Sequence, residues 1–412
     1  MKHDTSAVAV ETRRKGKGKT VIRIMPVAIA GVLVISGLLT GCGSGGGGAD
    51  PGSDEPRNSQ VVIAAVREIG AVSRSPSILE RDCGFSALFQ GQSVWLFGDT
   101  VLETPNADDS SMISSSLSCT FDIDAGDGIE GFSEMVDWVG APATFFPLTE
   151  DELAFNQRHA GESCEEEPCN TAWHIWPGTI LVDEEKDWAY VFYLKVLVEQ
   201  GFFNFEHVGH SMAVWKDISQ PPERAVFNQV ESHPTLLFGE TGGPGFSSAA
   251  LVLDEEAFIY GCELAENPLT KPCHVARVPL TDILDRSAWS FYSGDGKWSP
   301  EREESKEIFS GSEMMSVFFN PYINRFVAIY SKHLGASAML RTAVRPEGPW
   351  SEPMEIFSVD APDNPYGWVY DFLAHPEFSQ DNGRVIFITY SKKIAQQLSE
   401  LRLVAVHLEM SE

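Results

Sequence analysis

A hairpin pattern that occurs five times is the feature that most constrains the fold of this chain. Each copy has an apolar strand, a turn rich in Gly, Asp, Asn or Glu, and a second strand carrying aromatic residues. The five copies lie at 84–99, 178–195, 247–263, 314–332 and 375–392. Apolar runs bounded by turn residues predict β-strands, and a repeated strand unit predicts a repeat architecture.

Third and fourth strands extend these hairpins into sheets. A third strand pattern follows every hairpin, at 114–122, 209–217, 273–282, 337–346 and 401–410. A fourth follows in four units, at 137–148, 225–238, 288–298 and 349–359. A four-stranded unit repeated around an axis describes a β-propeller. We therefore predict an all-β, five-bladed β-propeller; a two-sheet sandwich is the alternative, but sandwiches rarely need so many strands.

The last unit has no fourth strand of its own. Residues 60–70, "QVVIAAVREIG", precede the first hairpin and have no partner there. We predict that this N-terminal strand supplies the outer strand of the last blade. Sustained helical patterns are few, and 281–286 predicts a single helical turn.

The N-terminus has the three parts of a secretory signal in order. A basic stretch precedes an apolar run, and "LTGC", ending at Cys42, resembles the bacterial lipobox, whose Cys is acylated. We predict a lipoprotein signal peptide over 1–41, a lipidated Cys and flexible Gly/Ser/Asp tether over 42–58, and the propeller domain over 59–412. Gly43 in the second mature position favours lipid anchoring in the outer membrane, periplasmic or surface-facing. A plain transmembrane anchor is the alternative, although the apolar run is marginal against the ~20 residues of a span.

The charge of the chain limits its partners. The formal net charge is −29, and because the basic residues concentrate in the first 41 positions, the remainder is close to −34. Such a body should repel nucleic acid and anionic headgroups, so we expect no nucleic-acid partner and a membrane association only through the anchor. The acidic charge would also suit a Ca²⁺ ion in the central channel, but no D-x-D-x-D-G loop accompanies it. We therefore expect no cofactor and no metal, and a monomer.

Cysteine usage agrees with an oxidising compartment. Apart from Cys42, six cysteines remain: Cys83, Cys119, Cys164, Cys169, Cys262 and Cys273. An even count outside the cytoplasm predicts three disulfides, with fifteen pairings open. Proximity favours 164 with 169 and 262 with 273, which leaves 83 with 119. No C-x-x-C unit is present, which argues against structural zinc.

Two aspartates close the ends of the first hairpin. Asp82 precedes its first strand and Asp99 follows its second. With Gln90-Gly91 as the turn they face each other directly; with Gly91-Gln92 they are offset by two residues, and either register brings them within ~5–8 Å. Close carboxyl groups cannot both ionise easily, and one acid with one carboxylate is what glycoside hydrolysis needs. Turn capping by either side chain is the structural alternative.

Other blades place polar and aromatic residues where their first strands begin. Glu313 precedes the fourth hairpin and is a further candidate catalytic acid. Side chains suited to binding a sugar ring lie in the second and fifth units: Trp173, His174, Trp176, Tyr370, Asp371 and His375. The glycine-rich segment 242–246 could leave room for a polysaccharide chain. Ordinary packing is the alternative for each residue alone.

Four segments carry a resemblance to a known group. They are "RDCGFSALFQGQSVWLFGDT", "CHVARVPLTDILDRSAW", "GPWSEP" and "AHPEFSQDNGRVIFITYS". In these the chain resembles the bacterial domain of unknown function 4185 group across nearly all of 70–410. The resemblance implies a five-bladed propeller and a relation to enzymes that cut D-arabinan at internal bonds of the polysaccharide. It also implies that Asp82 and Asp99 are the paired aspartates of the first blade, with Cys83 where a Gly commonly follows.

These observations predict an extracytoplasmic glycoside hydrolase acting on a polysaccharide, of arabinofuranose type by the resemblance. Asp82 would be the general base and Asp99 or Glu313 the acid. The alternatives are a glycan-binding propeller without catalysis and a protein-interaction scaffold with a blocked channel.

Overall fold

The computed structural model describes residues 7–15, 19–27, 60–201, 204–241, 243–263, 271–332, 335–359, 367–395 and 398–411. The chain separates into two units, 1–58 and 59–412. In the first, β1 (Ala7–Lys15) and β2 (Lys19–Val27) pair as an antiparallel hairpin. Cys42 and the predicted cleavage site and tether lie outside the described residues. Within the described part of the chain, no helix is both long enough and apolar enough to cross a membrane.

The second unit contains five antiparallel sheets that follow one another along the chain. After β3 (Val61–Ala71), blade 1 contains β4 (Ile78–Phe89), β5 (Gln92–Leu102), β6 (Met112–Ile113), β7 (Ser116–Thr120) and β8 (Ser133–Glu134). Helix α1 (Glu150–Arg158) leads into blade 2, with β9 (Ala172–Asp183), β10 (Trp188–Val198), β11 (Phe205–Trp215), β12 (Glu223–Arg224) and β13 (Phe238–Gly239). Blade 3 contains β14 (Ala249–Leu253), β15 (Glu256–Cys262), β16 (Pro272–Pro279), β17 (Ser290–Gly294), β18 (Lys297–Ser299) and β19 (Phe309–Ser310).

Blades 4 and 5 complete the set. Blade 4 contains β20 (Met315–Asn320), β21 (Arg325–Ser331), β22 (Ser337–Ala343) and β23 (Met354–Ser358). Blade 5 contains β24 (Val369–Ala374), β25 (Val385–Ala395) and β26 (Leu398–Met410). The first strands touch around a ring: β4 contacts β9, β9 contacts β14, β14 contacts β20, β20 contacts β24, and β24 contacts β4. This closure confirms the predicted five-bladed β-propeller, in which the first strands surround the axis.

The N-terminal strand closes blade 5. The sheet order is β24-β25-β26-β3, and β3 pairs antiparallel with β26 from Met410↔Val61 to Arg402↔Ala71. The predicted strand over 60–70 therefore pairs as expected. Because β3 and β26 belong to opposite ends of the domain, their backbone hydrogen bonds hold the ring shut.

Apolar cores lie between neighbouring blades, which explains why the hairpin strands have continuous apolar runs. Along β5, Val94 and Leu96 pack toward blade 2, whereas Trp95 and Phe97 pack toward blade 5. Side chains alternate across a strand, so a strand between two blades buries both of its faces. Equivalent clusters lie between blades 2 and 3, blades 3 and 4, and blades 4 and 5.

The helical segments differ from the sequence prediction in two places. The region 281–286 has two 3₁₀ turns, Leu280–Asp282 and Arg286–Ala288, in place of one helical turn. The sequence analysis also omitted α1. Its start is a capping box, in which the Thr149 side chain accepts from the Glu152 amide and the Glu152 side chain accepts from the Thr149 amide.

Two of the three predicted disulfides are confirmed. Cys164 and Cys169 are bonded in a short loop before β9. Cys262 and Cys273 are bonded as a cross-strand pair between β15 and β16.

The predicted bond between Cys83 and Cys119 is wrong, because both are buried free thiols. Their strands lie on either side of β5, where Cys83 stands opposite Phe97 and Cys119 opposite Val94. Two strand spacings of about 4.8 Å already exceed the ~7 Å that a disulfide spans between Cα atoms. The two side chains also enter different apolar clusters.

Candidate active site

The first hairpin places Asp82 beside Asp99. Phe89 pairs with Gln92 across the turn Gln90-Gly91, where both residues have positive φ, the geometry of a type I′ turn. This is the register in which the two aspartates face each other. Near the open end, a bulge leaves Asp82 opposite both Gly98 and Asp99.

The backbone around Asp82 is shaped to hold its carboxyl group. Gly98 lies directly under it, since a Cβ atom at that position would be 2.5 Å from Asp82 Oδ1. Cys83 and Gly84 follow in the left-handed region, with φ of 64° and 112°. The Cys83 Sγ lies 3.7 Å from Asp82 Oδ1.

Blade 5 brings Asp371 to the same place. A bulge in β24 leaves Asp371 and Phe372 opposite a single residue of β25, and Asp371 has a φ of 56°. The Cys83 amide donates to Asp371 Oδ2 at 3.1 Å. Asp371 was predicted to bind sugar, and its position beside Asp82 also makes its carboxyl group a candidate catalytic acid.

Burial and like charges act on these two carboxyl groups. Burial, followed by the charges of Asp371 and Asp99, raises the pKa of Asp82 well above its ordinary value. Burial likewise raises the pKa of Asp371 to about 7, against the lowering effect of the Cys83 hydrogen bonds. The pair is therefore expected to retain a proton near neutral pH.

Asp99 is oriented by blade 2. Trp176 Nε1 donates to Asp99 Oδ1 at 2.8 Å, and His174 Nδ1 lies 3.4 Å from the same oxygen. Trp176 and His174 are two residues apart on β9, so they share one face of the strand. The structure thus brings both predicted sugar-binding residues to a predicted acid.

Glu313 lies in a different electrostatic environment, just before β20. Lys271 Nζ donates to Glu313 Oε2 at 2.8 Å. Burial opposes ionisation of Glu313, but Lys271 and the neighbouring His207 outweigh it, so the pKa of Glu313 is lowered. Its charge in turn opposes ionisation of Asp371. We call the four carboxyl groups of Asp82, Asp99, Glu313 and Asp371 the acidic cluster.

Tyr370 and two further aromatic residues flank the acidic cluster. Burial, followed by the charges of Asp82 and Asp371, raises the pKa of Tyr370, so its hydroxyl stays protonated. Trp368 is 45% exposed and packs edge-on against Tyr370. On the blade 2 side, Phe205 is 37% exposed and packs edge-on against Trp176. Exposed aromatic faces on two sides of a carboxyl cluster suit the apolar faces of sugar rings.

Trp173 does not join the acidic cluster. It lies on the opposite face of β9 from His174 and packs against Phe155 of α1, with the Lys195 ammonium 4.4 Å from its ring centroid. In this position Trp173 cannot stack on a sugar ring beside the acidic cluster, as the sequence predicted.

His375 is inside the protein, which contradicts the prediction that it orients the sugar. Its side chain lies in a fully buried network, with Nδ1 2.6 Å from Ser86 Oγ and Nε2 2.7 Å from Thr389 Oγ1. Glu377 accepts from Ser86, not from the imidazole. Burial lowers the pKa of His375 to about 3, so its imidazole is neutral at physiological pH.

The sequence analysis missed three residues near Glu313. They are Lys271, His207 and His210. The sequence does contain features that could have indicated these residues. The segment "EHVGH" places two histidines on one strand, and Lys271 lies two residues before a disulfide cysteine. Burial lowers the pKa of His210 to about 4. Within the predicted glycine-rich segment, whose residue 242 lies outside the described residues, Gly245 leaves space for this ring, because a Cβ there would overlap it.

Other candidate sites are a group of potential metal ligands and two surface cavities. Among the described residues, Cys164, Glu167 and Cys169 are the one group of potential metal ligands close enough together, and both thiols are in a disulfide. One cavity of ≈ 380 Å³ is lined by Arg74 and Glu134, and another of ≈ 480 Å³ lies beside that disulfide. We place the candidate site at the acidic cluster, where convergent carboxyl groups have pKa values shifted in opposite directions.

A family model described as domain of unknown function (DUF5005) matches residues 82–400. The match corrects the assignment to the domain of unknown function 4185 group, which rested on short segments such as "FGDT" and "GPWS". No curated protein matches the chain.

Several solved structures are similar to this chain at low sequence identity. A "putative hydrolase" from Bacteroides ovatus ATCC 8483 has a TM-score of 0.56 at 15% identity, covering 86% of this chain and 96% of that one. A GH43_1 enzyme from Xanthomonas citri complexed with xylotriose has a TM-score of 0.46 at 11% identity, covering 82% and 90%. An endo-1,4-beta-xylanase from Bacteroides thetaiotaomicron VPI-5482 has a TM-score of 0.46 at 10% identity, covering 80% and 92%.

Proposed function

The chain belongs to the family described as domain of unknown function 5005, and we propose that it is a glycoside hydrolase whose reaction takes place at the acidic cluster. One observation carries the proposal: carboxyl groups from blades 1, 4 and 5 meet in environments that shift their pKa values in opposite directions. The pKa values of Asp82 and Asp371 are raised, whereas that of Glu313 is lowered. Pairs of carboxyl groups separated in this way are assigned acid and base roles in glycosidases.

The electrostatics favour roles that differ from those expected from the sequence. Asp82 was expected to be the base, but its burial beside Asp371 favours the protonated form. We therefore assign proton donation to the Asp82–Asp371 pair. The donated proton goes to the glycosidic oxygen as its bond to the anomeric carbon breaks.

Glu313 is the ionised partner in this proposal. Lys271 keeps it charged, so it can accept a proton from the water that attacks the anomeric carbon. Asp99, held by Trp176 and His174, orients the sugar. The exposed Phe205 and Trp368 suit stacking on neighbouring rings of a polysaccharide. An arabinofuranose-type polymer is the substrate class we propose to test first.

The test compares wild type, Asp82→Asn, Asp371→Asn and the exposed Asp217→Asn on a panel of furanose and pyranose polysaccharides. Hydrolysis is measured as new reducing ends. We expect wild type and Asp217→Asn to release product and the two site variants to lose at least 100-fold in rate, the usual minimum contribution of general acid catalysis. Glycan binding without product from any polymer would instead establish a binding propeller. Neither binding nor product would indicate a protein-interaction scaffold.

We also propose that the protein is a lipoprotein of the cell envelope, anchored through Cys42 in the outer membrane. The support is the order of basic, apolar and small residues before Cys42 and the Gly/Ser/Asp tether after it. Cys42→Ala should abolish incorporation of labelled palmitate and release of the mature form, measured by gel autoradiography of membrane fractions. Equal labelling of Cys42→Ala would contradict the anchor.

A further inference from the structure

We propose that Cys83 is a positioning residue that holds Asp82 and Asp371 together, one through its thiol and the other through its backbone amide. The catalytic meaning of this role rests on the proposed hydrolase function, whereas the role itself can be tested without it. Nothing in the reaction scheme above uses Cys83, and its side chain is 5% exposed.

The contacts of Cys83 join two blades. Its amide donates to Asp371 Oδ2 at 3.1 Å, from blade 1 to blade 5. Its Sγ lies 3.7 Å from Asp82 Oδ1, within the range of a thiol hydrogen bond to oxygen. Burial, with the charges of Asp82 and Asp371, raises the pKa of the Cys83 thiol, so it remains a donor.

The backbone conformation at Cys83 separates these two contacts. A φ of 64° is one that glycine adopts without strain and that other residues adopt rarely. This conformation aims the amide at Asp371, so the amide contact would survive a change to glycine. The thiol contact to Asp82, and the thiol's lowering effect on the pKa of Asp371, would both be lost.

Three further acidic groups lie near the pair and raise the pKa of one or the other member. Glu80 lies on β4, Asp99 on β5, and Glu313 approaches from before β20. The nearby ammonium groups are already engaged, Lys393 with Glu80 and Lys271 with Glu313. A hydrogen-bond donor at Cys83 therefore offsets repulsion among like charges, as donors to the ionised form of a carboxyl group do.

The experiment titrates the protonated carboxyl band by infrared spectroscopy, in full-length chain labelled with ¹³C-aspartate and purified in detergent. Subtracting the spectrum of Asp371→Asn isolates the signal of the pair. The variants are Cys83→Gly, Cys83→Ser and, as a matched buried free thiol in a different core, Cys119→Ala. Thermal unfolding is recorded for each.

We expect the band of Cys83→Gly to persist to higher pH than that of wild type, because the pair loses a donor. Cys83→Ser should restore titration toward that of wild type, and Cys119→Ala should match wild type. A wild-type titration in folded Cys83→Gly would overturn the role. If that variant unfolds, Cys83→Ala, which also lacks the thiol donor, is titrated in its place, and a wild-type titration in it would overturn the role.

Failure of the hydrolase proposal is distinguishable from this outcome. If no variant hydrolyses glycans but the band shifts, Cys83 positions the pair and the enzyme assignment is wrong. If wild type hydrolyses glycans, its rate should fall at the pH at which the pair loses its proton. In Cys83→Gly this fall should occur at a higher pH. An unchanged pH profile would contradict the positioning role alone.

Discussion

Gly98 has the backbone position that leaves room for the Asp82 carboxyl group. Its φ is not in the left-handed region, so the need for glycine there is one of space. Neither Gly98 nor the bulge opposite Asp82 could be assigned from the sequence, in which "FGDT" reads as an ordinary strand end. The nearness of Asp82 to Asp99, by contrast, follows from hairpin symmetry around Gln90-Gly91.

Gly98→Ala is predicted to displace the Asp82 carboxyl group. The added Cβ would be 2.5 Å from Asp82 Oδ1, and overpacking of this kind costs about 1–3 kcal/mol. Urea unfolding should show that loss, and glycan hydrolysis should fall with it. Gly239→Ala is the matched control, because its Cβ would meet Val230 at ordinary contact distances of 3.5 and 3.7 Å. Equal stability of the two variants would contradict the close approach.

Asp371 makes stability depend on pH in a direction opposite to that of a salt-bridged carboxylate. Its folded pKa of about 7 lies above its ordinary value of 3.8, so the folded state binds the proton more tightly. Stability should therefore fall as pH rises from about 4 to about 7 and stay low above that.

Asp371→Asn should remove this penalty. We expect the variant to gain up to a few kcal/mol over wild type at pH 8, since one pKa unit corresponds to about 1.4 kcal/mol, and to lose the gain near pH 4. Urea unfolding of both proteins at the two pH values measures it. A constant difference across pH would mean that Asp371 ionises normally.

The secondary-structure elements show where sequence patterns suffice and where they fail. Long apolar strands such as β10 and β26 are evident because both of their faces are buried between blades. The outer strands are shorter than predicted. The predicted strand over 225–238 overlaps β13 only at Phe238, the first residue of that strand, because outer positions lose the apolar pattern on their solvent side. The position of Asp371 beside Asp82 was also not predictable. A bulge within β24 changes which residues of that strand face the axis, and the sequence pattern does not reveal the bulge.

Removing the Cys262–Cys273 disulfide is predicted to destabilise the domain more than removing Cys164–Cys169. The bonded residues are 11 and 5 apart, and a longer closed loop constrains the unfolded chain more. Paired Cys→Ala variants should lose roughly 3 and 2 kcal/mol respectively, measured by urea unfolding of the oxidised proteins. The reverse order would show that native contacts around the bonds, not loop length, decide their effect.

At the scale of the whole molecule, closure gathers the site from distant parts of the sequence. Asp82 and Asp371 are in different blades, and β24 meets β4 only because the ring is complete. The repeat pattern and the unpaired 60–70 segment were enough to predict that closure. The pairing of Glu313 with Lys271 was not predictable, because it depends on how blade 3 and blade 4 approach each other at the axis.

Deleting β3 is predicted to open the ring. A chain covering 72–412 would expose the edge of β26 and lose backbone hydrogen bonds worth about 0.5–1.5 kcal/mol each. We expect it to aggregate or unfold under conditions in which 59–412 elutes as a folded species, measured by circular dichroism and gel filtration. A peptide of residues 59–72 added in trans should restore solubility by strand addition. Folded, monomeric 72–412 would show that β3 is dispensable.

The pairing of β3 with β26 also has a consequence for biosynthesis. The strand that completes the last blade is synthesised before any other part of the domain, and its partner is synthesised last. A nascent or prematurely terminated polypeptide therefore has an open β edge and an unassembled set of acids. Only a polypeptide translated to its final strand acquires both its stability and its candidate chemistry, so incomplete products remain exposed to proteases.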